Sequence, residues 1–397
     1  MNNPTASPPP PLLPPERARH PDPRTHDDLA AFPKRGRAHL LLRRHGKLLA
    51  GASLILSFYL LALGAEFLAP YDYRSQLRRE PLAPPSTIRF QDANGNWHAR
   101  PFIYARRLVD PLARTYAEDA TRAYPLALFV RGSSYQLLGL FQTNRRFFGV
   151  KHNGGASDAE ALGTAGTAVA ALPRVSLLGT DALGRDRWSR LLVAARFSLI
   201  VAPAGTLLAG ALGIFIGGVA GYAGRRADAV LMRAADAMMA LPALVLILAA
   251  RAAFPLALPP RSAGLLLVLI FLAIGWADMA RLMRGLVLQL RQREFVLAAV
   301  SLGLSQPRVL FRHILPNAAR PLLVQASLLL PAFLLAETAL SFLGVGLQEP
   351  EPSWGNMLSA ASDLTLLAEQ PFVLLAPAFA IFLFVLGVRL LSDGLKH

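Results

Sequence analysis

The sequence contains no cysteine in its 397 residues. Disulfide bonds, thiolate metal sites and cysteine nucleophiles are therefore excluded. Acidic residues are also scarce, since 25 Asp and Glu stand against 41 Lys and Arg and give a formal net charge of +16. Only 17% of the residues are charged, whereas 53% are hydrophobic. This balance is typical of a membrane protein, in which basic residues gather in cytoplasmic loops and at anionic headgroups.

Signatures of nucleic-acid binding and of catalysis are missing as well. No basic stripe carries interleaved aromatic residues on which bases could stack, so we expect no nucleic-acid partner. The sequence has no HExxH or Gly-x-Ser-x-Gly motif and no pair of carboxylates at helical spacing within an apolar run. The phosphate-binding pattern GxxxxGK followed by Ser or Thr is also missing. We therefore predict no catalytic residue, no metal site and no cofactor bound by this chain.

Six apolar runs are long enough to cross a lipid bilayer as helices. They cover roughly residues 48–69, 198–221, 236–254, 263–280, 322–346 and 371–391. Arginines collect before the first run, in segment 222–235 and in segment 281–321, whereas segment 347–370 has no Lys or Arg. Because basic loops stay on the cytoplasmic side, we predict a multi-pass inner-membrane protein with both termini in the cytoplasm.

The remaining residues divide into a tail and an insert. Residues 1–37 are rich in Pro and Arg and predict a disordered cytoplasmic tail, followed at 38–69 by a basic flank and the first span. Residues 70–182 are long enough to form a separate periplasmic lobe. Two β-prone runs around Asn94-Gly95 predict a hairpin with positive φ at both turn residues. The small residues of 154–173 predict a loose linker.

The second span is preceded by a stretch with a polar and an apolar side. Within "LGRDRWSRLLVAARFSL" (183–199), one helical face carries Trp188, Leu191, Leu192 and Ala195. Arg187 and Arg190 lie off that face, which favours a short interfacial helix before the span. The alternative is that these residues are the outer end of one longer span.

Few ionisable residues fall in or beside the spans. We list Glu66, Asp236, Asp278 and Glu337. Such groups are costly in hydrocarbon and should face protein or water. Asp236 and Asp278 fall near cytoplasmic ends, where helix capping or headgroup contact is expected. Glu337 lies deeper, about 22 Å along its helix, where it either lines an aqueous path or hydrogen-bonds a neighbouring helix.

Small residues repeat every fourth position in the second span. They are Ala209, Gly213, Gly217 and Gly221. This spacing lets two helices approach closely, and the partner helix belongs either to this chain or to another. The candidates for a translocation path or for helix packing are thus Glu337, Asp236, Pro242, Gly213 and Gly217.

The stretch "EFVLAAVSLGLSQPRVLFRHILPN" (294–317) predicts two short helices joined by a sharp turn. Gly303 is a natural helix end, Ser305 and Pro307 suit the start of a second helix, and Pro316 is expected to end it. The turn either enters a cleft in another protein or lies on lipid with its arginines at phosphates. The residues alone leave both alternatives open.

This stretch resembles the coupling loop of ABC importer permeases. The pattern of that loop is Glu-Ala-Ala, three residues, Gly, nine residues, Ile, one residue, Leu-Pro. Five positions match it: Ala298, Ala299, Gly303, Leu315 and Pro316. Leu297 replaces the Glu and His313 replaces the Ile. The resemblance implies contact of this loop with an ATPase, without the polar contact of the missing Glu.

Three further stretches resemble the second permease subunit of the dipeptide, oligopeptide and nickel importers. They are "LGTDALGRDRWSRLLVAARFSL", "DAMMALPALVL" and "ETALSFLGVGLQEPEPSWGNML". The enlarged external segment is similar to the insert of peptide-type members, the microcin C type among them. The resemblance implies an all-α integral membrane fold of six transmembrane helices, the type I importer permease fold, with a large external β-containing insert between helices 1 and 2. The permease domain would be 183–397, with its coupling loop at 281–321.

The resemblance also implies the partners and the substrate. A homologous permease subunit, two ATP-binding subunits and a periplasmic substrate-binding protein would assemble with this chain in the lipid bilayer. ATP and Mg would be used by the partner ATPases. Peptides are the expected substrate, with nickel or another small solute as the alternative. An autonomous secondary transporter is disfavoured, because the spans hold a single deep acidic residue and no inverted repeat is visible.

Overall fold

The computed structural model describes residues 34–111, 113–137, 141–151, 173–222 and 225–395. The chain divides into two units, Met1–His45 and Gly46–His397. The first contributes the helical backbone of residues 34–45 to the described part. The predicted tail lies outside the described residues up to position 33, and so does the predicted linker except for Pro173.

Helices make up most of the second unit. In chain order the helices are α1 Lys34–Leu63, α2 Ala65–Leu68, α3 Arg187–Tyr222, α4 Arg225–Met239, α5 Ala243–Ala252, α6 Pro260–Leu290, α7 Glu294–Ser301, α8 Gln306–Val309, α9 Leu315–Phe342, α10 Trp354–Leu358, α11 Leu364–Glu369, α12 Pro371–Leu374 and α13 Ala376–Leu395. A π-helical turn, Leu310–Ile314, joins α8 to α9, and a 3-10 turn, Ser359–Ser362, follows α10.

Five stretches of the described chain are long and apolar enough to cross a membrane. They are Gly46–Leu63, Arg187–Tyr222, Pro260–Leu290, Gln306–Phe342 and Ala376–Leu395. A sixth crossing results if α4 and α5, bent by 85° at their junction, count as one span. The predicted helical membrane fold is confirmed, and the number of crossings depends on this bent pair.

The break between α4 and α5 lies where the sequence places Pro242. Proline has no N–H to donate, and it disfavours the helical conformation at the preceding Leu241. In the last turn of α4 the Ala240 N–H donates to the Asp236 carbonyl, and a new helix, α5, begins after Pro242. The span predicted at 236–254 thus includes a bend of 85° between α4 and α5.

The second span is one continuous helix from Arg187 to Tyr222. A separate interfacial helix at 183–199 does not form, and the alternative of a longer span describes the structure. The reason is that Arg187 and Arg190 are buried, with 5% and 3% of their surface exposed. Arg190 reaches Glu349 at 2.7 Å, so its charge is balanced inside the protein and needs no headgroup.

Two segments predicted as basic loops are helical. Residues 225–239 form α4, and α6 continues to Leu290, ten residues past the predicted start of the coupling loop. Ion pairs between these helices explain the helical structure. Arg284 contacts Asp228 through two bonds of 2.8 and 2.6 Å, and Arg281 pairs with Asp236.

The insert forms a four-stranded antiparallel sheet in the order β1-β2-β3-β4. Its strands are β1 Arg89–Gln91, β2 Trp97–Asp110, β3 Thr115–Leu137 and β4 Phe141–Val150. The first two form a hairpin around Asn94-Gly95, but the turn is longer than two residues and only Gly95 has a positive φ, +86°. The Asp92 carboxylate explains the difference, because it accepts the N–H groups of Asn94 and Asn96, both at 2.9 Å.

The core is organised by close packing of α3 on α6. A Cβ atom added at Gly213 would collide with the Trp276 carbonyl, and one at Gly217 would collide with the Ala280 carbonyl. The helix that accepts the small-residue stripe therefore belongs to this chain. Next to it, Phe271 of α6 stacks on Phe333 of α9 with ring centres 4.4 Å apart.

We predict that Gly217→Val destabilises the protein far more than Gly285→Val. Overpacking costs about 1–3 kcal/mol even where side chains can yield, and here the obstacle is helix backbone. Gly285, also in α6, is the matched control, because nothing lies within 4 Å of an added Cβ there. Thermal unfolding of the purified variants in detergent measures the effect. Equal melting temperatures for the two variants would contradict the α3–α6 packing.

Candidate functional site

Residues 294–316, called the elbow below, connect α6 to α9. Its first helix, α7, buries Val296 and Ala299. These two side chains pack with residues of α6, of the π turn and of α9 in one apolar cluster. The cluster contains Met279, Met283, Val287, Val296, Ala299, Val309, Ile314, Ala318 and Leu322. Because packed interiors deform little, the elbow and the adjoining ends of α6 and α9 form one stiff piece.

Gly303 ends α7 in the way its sequence position predicts. Its φ is +80°, a conformation that costs other residues free energy. The Gly303 N–H donates to the Val300 carbonyl at 2.9 Å and the Leu304 N–H to the Ala299 carbonyl at 3.2 Å. This pair of bonds is the Schellman arrangement that closes a helix and reverses the chain. Nothing lies within 4 Å of an added Cβ, so the turn projects from the protein.

The second half of the elbow differs from the prediction. Ser305 is at the N-cap position of α8, although within the described structure its hydroxyl makes no capping hydrogen bond. Pro316 does not end the helix, which continues through the π turn into α9. The reason is the wide π turn: the Leu315 N–H reaches back five residues to Leu310, and the extra room accommodates the proline ring that follows.

The predicted coupling residues divide between the two sides of the elbow. Ala299 is buried, Leu315 and His313 are half-buried, and the other four are exposed: Leu297, Ala298, Gly303 and Pro316. His313 Nε2 is enclosed and finds no hydrogen-bond partner among the described residues. The imidazole of the residue that replaces the pattern's Ile is thus partly enclosed by this chain.

An apolar patch covers the outer side of α7. It consists of Phe295, Leu297, Ala298, Val300 and Leu302, and is called the elbow patch below. Leu302, next to the turn, is 80% exposed. A contiguous exposed apolar patch marks a surface that binds protein or membrane. Leu297 extends this apolar surface at the position where the coupling-loop pattern has a Glu.

Glu337 is fully buried between α3 and α9. Its carboxylate accepts the Ser198 hydroxyl at 2.8 Å and the Ser341 hydroxyl at 2.9 Å. Of the two roles left open by the sequence, this geometry favours the hydrogen bond between neighbouring helices. A buried carboxylate needs such donors, and they fix where α9 sits on α3.

The remaining path candidates lie at the bent pair. Pro242 lines a cavity of about 750 Å³ between α4, α5, α6 and α9. Asp278 of α6 also lines it. Asp236 lies two residues before Met238, the first residue of the cavity lining, and it pairs with Arg281. Gly213 and Gly217 belong to the α3–α6 contact.

A network of arginines joins the insert to the membrane helices. Arg185 contacts Asp181 at 2.7 Å and Glu349 at 2.6 Å, and Arg190 contacts the same Glu349. Nearby, the Asp186 carboxylate accepts the N–H of Ser189 at 2.8 Å and caps the start of α3. Burial raises the pKa of Asp186 to about 6.

Sequence reasoning omitted the two basic residues within its predicted spans, Arg251 and Arg389. Arg251 is fully buried near the end of α5 and donates to the carbonyls of Phe254, Pro255 and Leu256 at 3.1–3.2 Å. These carbonyls follow a helix end and lack helical donors. The available signal was a basic residue in the last turn of an apolar run, where such carbonyls are expected.

Comparison with known proteins now identifies the family. Residues 213–396 match the family described as "Binding-protein-dependent transport system inner membrane component". The oligopeptide transport system permease protein OppC of Bacillus subtilis (strain 168) is 38% identical over 219 residues, covering 55% of this chain and 69% of that protein. The chain belongs to the ABC importer permeases of the dipeptide, oligopeptide and nickel type. The resemblance found in the sequence motifs is confirmed.

Other permeases of this family match to a similar extent. The dipeptide transport system permease protein DppC of Alkalihalophilus pseudofirmus is 38% identical over 221 residues, 55% of this chain and 69% of that protein. A putative peptide permease protein of Brucella suis biovar 1 is 37% identical over 219 residues, 55% of this chain and 70% of that protein. The family match begins at Gly213, in the middle of α3, so the sheet of this permease lies outside it.

For Glu337, we predict that Ala destabilises the permease and that Gln does not abolish uptake. Glu337→Ala leaves two buried hydroxyls without their acceptor, at a cost of about 1–3 kcal/mol. In a Ser198→Ala background, Glu337→Ala should lower the stability by less, because only the Ser341 hydroxyl then loses its acceptor. Thermal unfolding in detergent measures both effects. A stable Glu337→Gln variant that transports nothing would instead assign this carboxylate to the translocation path.

Proposed function

We propose that this chain is the membrane-spanning permease subunit of an ATP-driven peptide importer. With a second, homologous permease it would enclose the translocation path. Two ATP-binding subunits would dock under the elbows, and a periplasmic binding protein would deliver the peptide. Family membership supports the transport class, and the printed names of the relatives support peptides as the substrate.

The observation that carries the proposal is the two-sided elbow. Its inner side is packed into the ends of α6 and α9, and its outer side is an exposed apolar patch beside a projecting turn. A lipid-bound helix would need no stiff connection to two spans. A lever needs both features, one to receive force from a partner and one to pass it on. We therefore favour the protein cleft over the lipid surface.

The proposed cycle follows from this geometry. ATP and Mg bound by the partner subunits bring the ATPases together, and the cleft that holds the elbow patch moves with them. Because the elbow is stiff, α6 and α9 move too, and the path changes the side to which it opens. Such coupling requires that nucleotide and substrate each bind the two conformations with different affinity. This chain supplies no catalytic group and no cofactor to the cycle.

The orientation proposed from the basic loops is supported by the two ends of α3. Arg190, in the first turn of α3, contacts Glu349 of the acidic segment, whereas Gly221 at its other end accepts a bond of 3.1 Å from Arg291 beside the elbow. A helix of 36 residues is about 54 Å long, more than the ~30 Å of a hydrocarbon core. This arrangement supports the proposal that the sheet lies on the periplasmic side and the elbow on the cytoplasmic side.

The chain has no native cysteine, so single cysteines test this arrangement directly. We expect Leu302→Cys to form crosslinks with an ATP-binding subunit in the assembled importer. We expect Trp97→Cys, at a position 77% exposed in the sheet, to react with an impermeant maleimide added outside intact spheroplasts. Leu302→Cys should be protected from that reagent. Absence of any crosslink from Leu302→Cys to an ATPase would overturn the docking role.

A second prediction concerns the shape of the turn. Gly303→Leu should lower uptake per ATP hydrolysed by about an order of magnitude, because φ of +80° costs a side-chain residue about 1–2 kcal/mol and the turn would relax into another shape. Gly303→Asn is the matched control, since Asn tolerates this conformation. Proteoliposomes that report uptake and ATPase together measure the ratio. Wild-type coupling in the Leu variant would show that the turn shape is irrelevant.

A further inference from the structure

The cavity at the bent pair has almost wholly apolar walls. Its volume is about 750 Å³, and sixteen residues from α4, α5, α6, α9 and the break line it. Met238, Met239 and Phe333 are among them, and Asp278 is the one ionisable residue in this lining. A largely apolar pocket with a single convergent charged group is the usual form of a site for a small ligand.

Asp278 differs from Asp228 and Asp236, the two acidic residues of α4 that pair with α6. On the same helix face, Arg281 and Arg284 are engaged by Asp236 and Asp228 of α4. Asp278 is exposed, and no hydrogen bond or ion pair joins it to another residue of the described chain. The α4–α6 contact therefore uses the arginines and leaves Asp278, in the cavity lining, without a counter-ion among the described residues.

The physical setting favours a ligand for this carboxylate. An uncompensated charge among apolar walls at membrane depth is costly, and it marks a path or a ligand site. The irregular backbone from Ala240 to Pro242 is tolerated at that depth where it lines a cavity, and broken helices form such sites in other transporters. Met238 and Met239 are flexible and polarizable, which suits contact with variable side chains.

We propose that Asp278 binds an ammonium group of the transported solute during its passage, either the amino terminus or a lysine side chain of a peptide. This inference rests on the proposed function and adds the charge preference of the path. A transition-metal ion is a poorer fit, because the described residues of these walls include no imidazole and no second carboxylate to complete its coordination.

The test uses the complete importer in proteoliposomes. Its binding protein is saturated with each peptide, so that differences in receptor affinity do not affect the uptake rates. Three peptides of one length carry Lys, Gln or Glu at the same central position. We expect wild-type uptake to fall from Lys to Glu by about tenfold, the size of one favourable charge contact. Asp278→Asn should bring the three rates together, and Asp278→Lys should reverse their order.

N-acetylated versions of the same peptides distinguish the two sources of the ammonium group. If acetylation removes the effect of Asp278→Asn on the Gln peptide, the amino terminus is a ligand. If only the Lys peptide responds to Asp278→Asn, the lysine side chain is the ligand. Either result supports the proposal.

Folding defects are separated from charge effects by chemical modification. In the Asp278→Cys variant the chain holds a single cysteine. A negatively charged sulfonatoethyl thiosulfonate reagent should restore the preference for the Lys peptide, and a positively charged trimethylammonioethyl reagent should abolish it. The wild-type complex is treated with the same two reagents, and any change in its uptake measures modification of cysteines in the partner subunits. Asp236→Asn is the matched control and should keep the wild-type order, because that carboxylate is engaged by Arg281 outside the cavity.

Two negative outcomes have different meanings. If the wild-type complex shows no ATP-dependent uptake of any peptide, the proposed function fails and this inference fails with it. If the wild-type complex transports, and Asp278→Asn changes neither the uptake rate of the Gln peptide nor the order of the three peptides, only the role of Asp278 is overturned.

Discussion

The architecture depends on the close approach of α3 and α6 at Gly213 and Gly217, where side chains would collide with backbone carbonyls. Lipid supplies no hydrophobic drive for two helices to associate, so backbone proximity and van der Waals contact must do it. One end of this pair meets the arginine network of the insert, and the other meets Arg291 and the elbow. The α3–α6 pair is therefore the stiff element that connects the insert to the elbow.

Charge pairing is the second constraint. Arg196 pairs with Glu66, Arg284 with Asp228 and Arg190 with Glu349, while Arg251 is satisfied by carbonyl oxygens. Because the chain has 41 basic and 25 acidic residues, an acid without a cationic partner is less expected than a base without an anionic one. Asp278 goes against this expectation, and unlike Glu337, which accepts two hydroxyl hydrogen bonds, it has no hydrogen-bond partner among the described residues either. A function is therefore a better explanation for it than packing.

Local chemistry was predictable from the sequence, and tertiary geometry was not. Gly303 ends its helix through hydrogen bonds within the six residues from Ala299 to Leu304, so its role follows from the sequence alone. The sequence predicts that Glu337 faces protein or water, but its partner Ser198 is 139 positions away and only the fold brings the two together. The continuous α3 depends on Glu349 in the same way, and the passage of the helix through Pro316 depends on a π turn that no local pattern announces.

The cavity and the elbow share two helices, and this connects the proposed site to the proposed lever. α6 carries Asp278 in one wall and ends at Leu290, just before the elbow, while α9 begins at the elbow and carries Phe333 in the facing wall. The cluster that includes Met283, Val287 and Ala318 locks both helices to the elbow. A displacement of the elbow therefore moves both walls as rigid bodies, without a chain of side-chain rearrangements between them. Substrate held at Asp278 and nucleotide held by the partners would then influence each other through the same two helices.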